Sequence, residues 1–554
     1  MINFAAKPPA SAEKLRGGYY TPDPVAAYLA AWVGKAGRRL LEPSCGDGAI
    51  LKYLVRGRGK QVQGVELFST EAEEARRAAR GRAAVHEGDF FHWLTPSQLG
   101  AWDGVAGNPP YIRFGNWPES DRTLAFALME ERGLRPTRLT NAWVPFTVGS
   151  VLAVRAGGRV GLVLPAELLQ VSYAAQLREF LLEELCELNI VSFRHLVFPG
   201  ILQEVVLALG VRGKATTRIC TAEVDDACGL QEIDWESTPA APTLRHDREK
   251  WTKYFLRTEQ IDNLRWARQH GGLIELGEVA RVEVGVVTGR NSFFTMTPAE
   301  AEERGLTDFC IPLVARSSQV SGLTYDESDL GKQTANDVRC LLLNVDPKTS
   351  LSRNRALHKY VQDGEAAGVD SGYKCQIRTP WWSVPSVWTP DGFMLRQIHK
   401  HPMLVSNHTD ATSTDTVHRV RVRGKVDIDR LAGCLINSAS FAFAEIIGRS
   451  YGGGILELEP REAQELLIPP PRGVTKKLAH QLDELLREGD LMTALDLGDA
   501  ALLVDGCGWD PARVTSLRSA WIRLRDRRSR RGQSNGSALV GHVQSNGRPV
   551  RVAK

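Results

Sequence analysis

A chain of 554 residues with 43% hydrophobic and 24% charged residues has the composition of a globular protein of about two to four domains. No apolar run approaches the ~18 residues of a membrane helix, and "MINFAAKPPASAEK" lacks a signal-peptide pattern, so we expect no membrane association and a cytoplasmic location. Residues 521–554 carry a net +8 within a formal total of +4, so the rest of the chain is net acidic, and total charge says nothing for or against a nucleic-acid partner.

In chain order, the first ~210 residues alternate strand-like and helix-like segments, the pattern of an open α/β sheet. The expected strands are 38–44, 61–67, 83–91, 102–107, 158–166, 187–193 and 204–212. The expected helices are 23–36, 48–57, 70–80, 141–155 and 167–185. The gap between the sixth and seventh strands is too short for a crossover helix, so that pair should be antiparallel. Residues 213–250 are polar and turn-rich and read as a connection. From about 255 to 472 short apolar runs alternate with Gly, Pro, Ser and Thr, including "RTPWWSVPSVW" (378–388), which predicts a mixed, strand-rich domain. Residues 475–526 are helical in pattern, with "KKLAHQLDELL" the clearest amphipathic run. From 528 the composition becomes low-complexity and basic, and predicts a disordered tail. The resulting layout is 1–245, 246–472, 473–527 and 528–554. Nine cysteines lack any CxxC spacing and predict free thiols, with neither a disulfide frame nor a metal site.

The chemistry lies at the strand ends. In an open parallel sheet, ligands bind at the carboxyl ends of strands where the strand order reverses. "LLEPSCGDGAIL" (40–51) is a strand, a small-residue loop and a helix start. Its spacing is neither a dinucleotide fingerprint nor a P-loop. Glu42 and Asp47 make it acidic, which disfavours phosphate and favours a cationic or hydroxyl-rich ligand. Glu66 closes the second strand, placed to accept hydrogen bonds from ribose hydroxyls. Asp89 and Phe90 close the third, suited to an adenine edge and face. A ligand with adenine, ribose and no polyphosphate is S-adenosyl-L-methionine, whose sulfonium suits an acidic loop. Each residue taken singly could equally be a helix cap or a surface acid.

At the fourth strand end stands Asn108-Pro109-Pro110-Tyr111. The Asn108 side-chain oxygen and the Pro109 carbonyl can accept the two N–H bonds of an exocyclic base amine and free its lone pair. The prolines stiffen the turn, and Tyr111 offers a flat face to the base. A base amine inside duplex DNA is reached only by flipping the base out, which calls for a second aromatic wall. Phe198, in "HLVFPGILQEVVLAL", is the candidate; an ordinary core position is its alternative.

These motifs, "GGYYTP" (17–22), "LEPSCGDG" (41–48), "GVEL" (64–67), "GDFF" (88–91), "NPPY" (108–111), "GGRVGLVLP" (157–165) and "VFP" (197–199), appear in the order of a known family. The chain resembles the gamma-class N6-adenine DNA methyltransferases, the Taq-type modification enzymes. The likeness is clear over roughly 15–212 and looser through "VGVVTGRNSFF" (284–294), "RTPWW" (378–382) and "SYGGGILELEPREAQELLIPPP" (450–471). It implies a Rossmann-like seven-stranded class I methyltransferase domain, a mixed α/β target-recognition domain and a helical C-terminal segment. It implies that Tyr20, Thr21 and Pro22, with Glu42, Pro43, Ser44, Gly46 and Gly48, hold the methionine end of the cofactor, that Glu66 takes the ribose, and that Asp89 and Phe90 take the adenine, with Phe146 packed against it. Asn108, Pro109, Pro110 and Tyr111 would act on the target adenine and Phe198 would stack on it.

The implied substrate is double-stranded DNA, modified by a monomer without a metal, with any restriction endonuclease on a separate chain. Candidate DNA contacts are Arg290, Asn291, Arg378, Trp381, His418 and Arg419, since Arg pairs with guanine and Asn with adenine. The Arg-rich 523–531 stretch would add phosphate attraction. N4-cytosine methylation uses similar chemistry, although Ser in place of Asn108 would have favoured it. A non-catalytic recognition subunit is the remaining alternative, against which Glu66, Asp89 and Asn108 argue.

Overall fold

The computed structural model describes residues 21–195, 197–198, 204–216, 218–240, 250–451 and 454–541, with the side chains of 172, 451 and 531–541 left aside. Tyr20 and the last part of the basic tail lie outside the described residues. The chain forms two compact units, one built mainly from 9–258 and the other mainly from 259–448 and 455–526.

The first unit holds one eight-stranded sheet: β1 (Arg39–Glu42), β2 (Gln61–Glu66), β3 (Ala84–Glu87), β4 (Trp102–Gly107), β5 (Val154–Pro165), β6 (Leu185–Phe193), β7 (Val205–Arg212) and β8 (Arg218–Val224). Their spatial order is β3-β2-β1-β4-β5-β7-β6-β8. β1 pairs in parallel with β2 (Leu40 opposite Val62) and with β4 (Leu41 opposite Val105). β7 is antiparallel to both neighbours, with Leu209 opposite Gly161 of β5 and Asn189 of β6. The strand order reverses between β1 and β4, and that reversal places the loops after these two strands side by side.

Two expectations need correction. The sheet has eight strands, because β8 emerges from the stretch read as a connection and pairs in parallel with β6, Leu188 opposite Ile219. Its sequence, RICTAEV, is polar enough to pass for a loop, and only the edge position beside β6 makes it a strand. A helix also forms at Glu119–Glu130, between β4 and β5, where none was assigned. Elsewhere the physical reasons are local. The helix Asp23–Gly34 starts with proline and aspartate in its first turn. It lies on the sheet over Gly161, where any side chain would come within 3.2 Å of Leu29 and 3.3 Å of Trp32. Trp32 Nε1 donates to Val160 O of β5 at 3.0 Å.

The second unit is mixed. A five-stranded sheet uses 280–283, 417–422, 392–395, 404–407 and 324–325, in that spatial order. A four-stranded sheet uses 295–296, 341–343, 310–314 and 412–413. A core of Phe293, Phe294, Leu313, Leu342, Tyr360 and Trp382 packs beside it, with Phe293 and Tyr360 stacked at 4.5 Å. The helical residues 476–526 belong to this same unit, while the final helix passes into the first unit at Arg527. Arg487, on the helix Lys476–Arg487, bonds Asp329 and Asp483 and donates to Thr324 O. The final helix runs Pro511–Gly541, so the boundary expected at 527 falls inside a helix. The nine cysteines are free thiols. Among the described residues no single helix is long and apolar enough to cross a membrane, and no cluster of His, Cys, Asp and Glu could hold a metal ion.

Candidate active site and DNA-reading surface

The site is assembled by the turn after β1. Gly46 and Gly48 both take positive φ (49° and 83°), and a side chain on Gly48 would run into the Ala75 backbone at 2.8 Å. This turn therefore needs glycine. It presents the Gly46 N–H to Glu66 Oε2 at 2.8 Å, while the Phe68 N–H reaches Oε1 at 3.1 Å. Glu66 is buried at the end of β2, and burial raises its pKa against the pull of those two N–H groups. Glu42 is only 2% exposed, and its Oε2 has no hydrogen-bond partner. Burial, reinforced by the neighbouring Asp47 and Glu66, holds its carboxyl well above the usual carboxylate range. Three acids converging on one buried loop, one with an unanswered oxygen, make a cradle for a cation carrying hydroxyls.

The turn after β4 is tied to this loop. Ser44 Oγ donates to the Asn108 carbonyl at 3.3 Å, and Asn108 Nδ2 donates to Thr21 Oγ1 at 3.2 Å. The Thr21 bond brings the start of the described chain to the end of β4 and commits the amide nitrogen, so the other polar atom of that amide is an acceptor. Pro43 packs over Gly107, whose missing side chain would sit 3.2 Å from the ring. Tyr111 donates its hydroxyl to Val163 O of β5 at 3.2 Å, which fixes the ring plane. Asp89 caps the short helix Phe90–Trp93 through Oδ1, accepting from Phe91 N and His92 N at 2.8 and 3.0 Å. Phe90 is buried and stacks on Phe146 at 5.3 Å, and Phe91 meets Phe146 edge-on at 4.8 Å. Phe198 is 5% exposed within the apolar core of the sheet, against whose residues Tyr111 also packs.

Thr21, Glu42, Pro43, Ser44, Gly46, Gly48, Glu66, Asp89 and Asn108 are therefore brought to one sheet edge. Sequence reasoning missed two neighbours. Leu67 and Phe68 follow Glu66 directly and are among the most exposed large apolar residues of the unit. The signal was present in "GVELFST": two apolar residues beyond a strand end, outside any core period.

The second unit divides the predicted DNA contacts. Arg290 precedes and Asn291 opens the short helix Asn291–Phe294; Asn291 is exposed, and its side-chain oxygen accepts from the Thr288 hydroxyl. The other four are structural. His418 is fully buried, its Nε2–H donates to Leu458 O at 2.7 Å, and burial lowers its pKa. Arg419 is buried, donates to Val284 O and Ser386 O, and stacks on Trp388 at 4.4 Å. Arg378 donates to Val287 O and Thr288 O. Trp381 packs on Phe293 and donates to Glu365 at 3.1 Å. Loops of this kind carry backbone carbonyls without sheet partners, and the arginines supply the donors. The part of the Arg-rich stretch that belongs to the first unit is occupied within it: Arg527 pairs with Glu223 at 2.6 Å, and Arg528 is buried and donates to Gly454 O.

What sequence reasoning missed in this unit is a cluster beside Arg290. Tyr373 (72% exposed) and Ile377 (62%) flank Lys374, whose Cβ lies against Gly289, and Arg378 ties their segment to the loop containing exposed Val287. Nothing in the sequence separates these apolar residues from core ones.

Sheet, acidic loop and stiff turn make up an α/β unit with a candidate site at its strand ends, followed by a mixed unit that carries exposed loops. Comparison with known proteins makes the class specific. Residues 57–198 match the Eco57I restriction-modification methylase family, and 248–503 match the C-terminal domain of the type II methyltransferase M.Eco57I. The type II methyltransferase M.AccI of Acinetobacter calcoaceticus is 20% identical over 85% of this chain and 88% of its own length. M.XamI of Xanthomonas campestris pv. amaranthicola is 24% identical over 82% and 85%. M.TthHB8I of Thermus thermophilus is 32% identical over 35% of this chain and 44% of its own length. The chain is thus similar to type II methyltransferases and, over 57–198 and 248–503, to the Eco57I-like restriction-modification methylases.

Proposed function

We propose that this chain transfers a methyl group from S-adenosyl-L-methionine to the N6 amine of an adenine flipped out of duplex DNA. The observation that carries the reading is the junction of Asn108 with the acidic cradle: one turn, bonded to Thr21 and Ser44, adjoins the loop in which buried Glu42 has an unanswered oxygen. The cradle's residues fit the cofactor. Glu42 and Asp47 suit its cationic end, Glu66 its ribose hydroxyls, and Asp89 with Leu67, Phe68 and Phe90 the edge and faces of its adenine. When bound, the cofactor supplies a methyl carbon activated by a sulfonium.

Every other part of the step falls to the chain. Asn108 Oδ1 and the Pro109 carbonyl accept the two N–H bonds of the target amine and shift its lone pair out of the ring. Pro109 and Pro110 hold that pair of acceptors without reorganisation. Tyr111 and Phe198 wall the base. The nitrogen would form the new C–N bond as the methyl–sulfur bond breaks, its electron pair returning to sulfur to leave a neutral thioether, and the surplus proton of the amine leaves to water. Asn rather than Ser at 108 supports adenine over cytosine. In the second unit Arg290, Asn291 and Lys374, with Tyr373, Ile377 and Val287, form the surface that reads the duplex.

The test is to express the full chain in a host free of DNA methylation and to sequence the genome for modified bases. We expect N6-methyladenine at one short motif. N4-methylcytosine would move the target to the other base, and an unmodified genome from a soluble, cofactor-binding protein would overturn the reading.

A further inference from the structure

Between the catalytic turn and the helix Trp143–Ala153 the chain makes an excursion that none of the motifs explains. After the helix Glu119–Glu130, residues 132–141, "RGLRPTRLTN", return toward the sheet edge. The return is pinned on both sides. Gln176 accepts from Arg135 N at 2.5 Å and donates to Arg135 O at 3.3 Å. Ala142 N donates to the carbonyl of Ile112, the residue after Tyr111, at 2.9 Å.

Between the pins, Thr137–Thr140 closes on itself. Thr140 N donates to Thr137 O at 2.9 Å, Thr137 N to Thr140 Oγ1 at 2.8 Å, and Leu139 N to Thr137 Oγ1 at 3.2 Å. Thr140 is buried, while Leu139 at the tip is 71% exposed. Three hydrogen bonds within the turn thus hold Leu139 out in solvent. Its surroundings indicate which surface it meets. Arg132, Arg135 and Arg138 are exposed, the ten-residue stretch contains no acid, and exposed Arg113 stands two residues beyond Tyr111. Leu139 is three residues from Ala142, so it lies within about 11 Å of chain from the bond to Ile112.

An apolar tip among arginines fits the base stack and phosphates of a duplex, where apolar side chains act as wedges between base steps. We propose that Leu139 enters the duplex beside the target and fills the space in the stack that the flipped base leaves, with Arg135 and Arg138 on the flanking phosphates. This inference rests on the methyltransferase reading and adds the residue that stabilises the flipped state.

The test uses the full chain and a duplex oligonucleotide bearing the motif read from the host genome, with 2-aminopurine in place of the target adenine. In Leu139→Ala the fluorescence rise on binding should shrink severalfold, and kcat/KM on the unsubstituted duplex should fall about tenfold to a hundredfold. Thermal stability and cofactor affinity should stay at wild-type values, Leu139→Phe should restore the signal, and a mismatch opposite the target should shrink the deficit. Wild-type flipping and turnover in Leu139→Ala would overturn the proposal, as would a defect confined to melting temperature or cofactor binding. A wild-type protein that modifies no DNA at all would instead sink the methyltransferase reading beneath it.

Discussion

The two units use their polar side chains in opposite ways. In the first, the residues singled out at the strand ends converge: Glu66 bonds Gly46 and Phe68 beside buried Glu42, and Asn108 bonds Ser44 and Thr21. In the second, His418 and Arg419 are buried and bond backbone carbonyls of distant loops, as Arg419 does with Val284 and Ser386, while half-buried Arg378 and Trp381 bond Val287, Thr288 and Glu365. The contrast teaches when position in a sequence becomes position in space. Parallel strands all end at the same side, so a motif after a strand is already placed. A mixed domain of short strands has no such rule, and an arginine goes wherever a carbonyl lacks a donor.

The largest effect that would test this contrast is at Asn108. Asn108→Ala should lower kcat by at least about 10²–10³-fold, by analogy with removal of one preorganised hydrogen-bonding group, while cofactor affinity stays within a few fold. Equal loss of cofactor binding in isothermal titration would make Asn108 part of the cradle alone.

Next comes Arg419→Ala. It removes the buried donors to Val284 O and to Ser386 O, the latter on a residue held at φ 59°. We expect a loss of about 2–4 kcal/mol in the unfolding of the second unit, with the salt dependence of DNA binding unchanged in whatever protein stays folded. A stable variant with a flatter salt slope would return Arg419 to the DNA.

Glu42→Gln should act through pH. A carboxyl whose folded pKa is raised adds stability that is complete below its ordinary unfolded value and is lost as pH rises through the folded value. The glutamine removes that loss, so the cofactor-free variant should melt higher than wild type at pH 8 and no higher at pH 4. Cofactor affinity should fall about tenfold. A cation entering the cradle favours the carboxylate, so binding to the wild type should tighten as pH rises toward the raised pKa, and Glu42→Gln should flatten that profile. A wild-type profile that is flat, or that slopes the other way, would remove Glu42 from the cationic end of the site.

The smallest effects belong to the exposed cluster. Lys374→Ala should weaken DNA binding about fivefold on all sequences and reduce the salt slope by about one, as expected for a phosphate contact. Arg290→Ala should instead relax the methylated motif at a single position, worth about 1–3 kcal/mol of discrimination. A uniform loss for Arg290→Ala would place it on phosphate as well.

Much of the first unit was legible because its code is short-range. Alternating elements mark the strands, and Gly46 and Gly48 mark a turn that only glycine can make. The illegible parts share one feature. β8 is a strand because β6 lies beside it. The helix Glu119–Glu130 has a weak apolar face, and only Ala125 and Met129 are buried. Phe198 is buried among sheet-core residues that periodicity does not announce.

The sequence by itself determined the order of the motifs, the acidity of the first loop and the stiffness of Asn108-Pro109-Pro110-Tyr111, because proline, glycine and carboxylate act through their own covalent geometry and charge. Only the tertiary structure decided that Glu42 is sealed from water, that His418 and Arg419 serve loops of their own unit, and that Leu139 stands in solvent on a self-bonded turn. Burial and hydrogen-bond satisfaction are properties of neighbours, and those neighbours lie far along the chain.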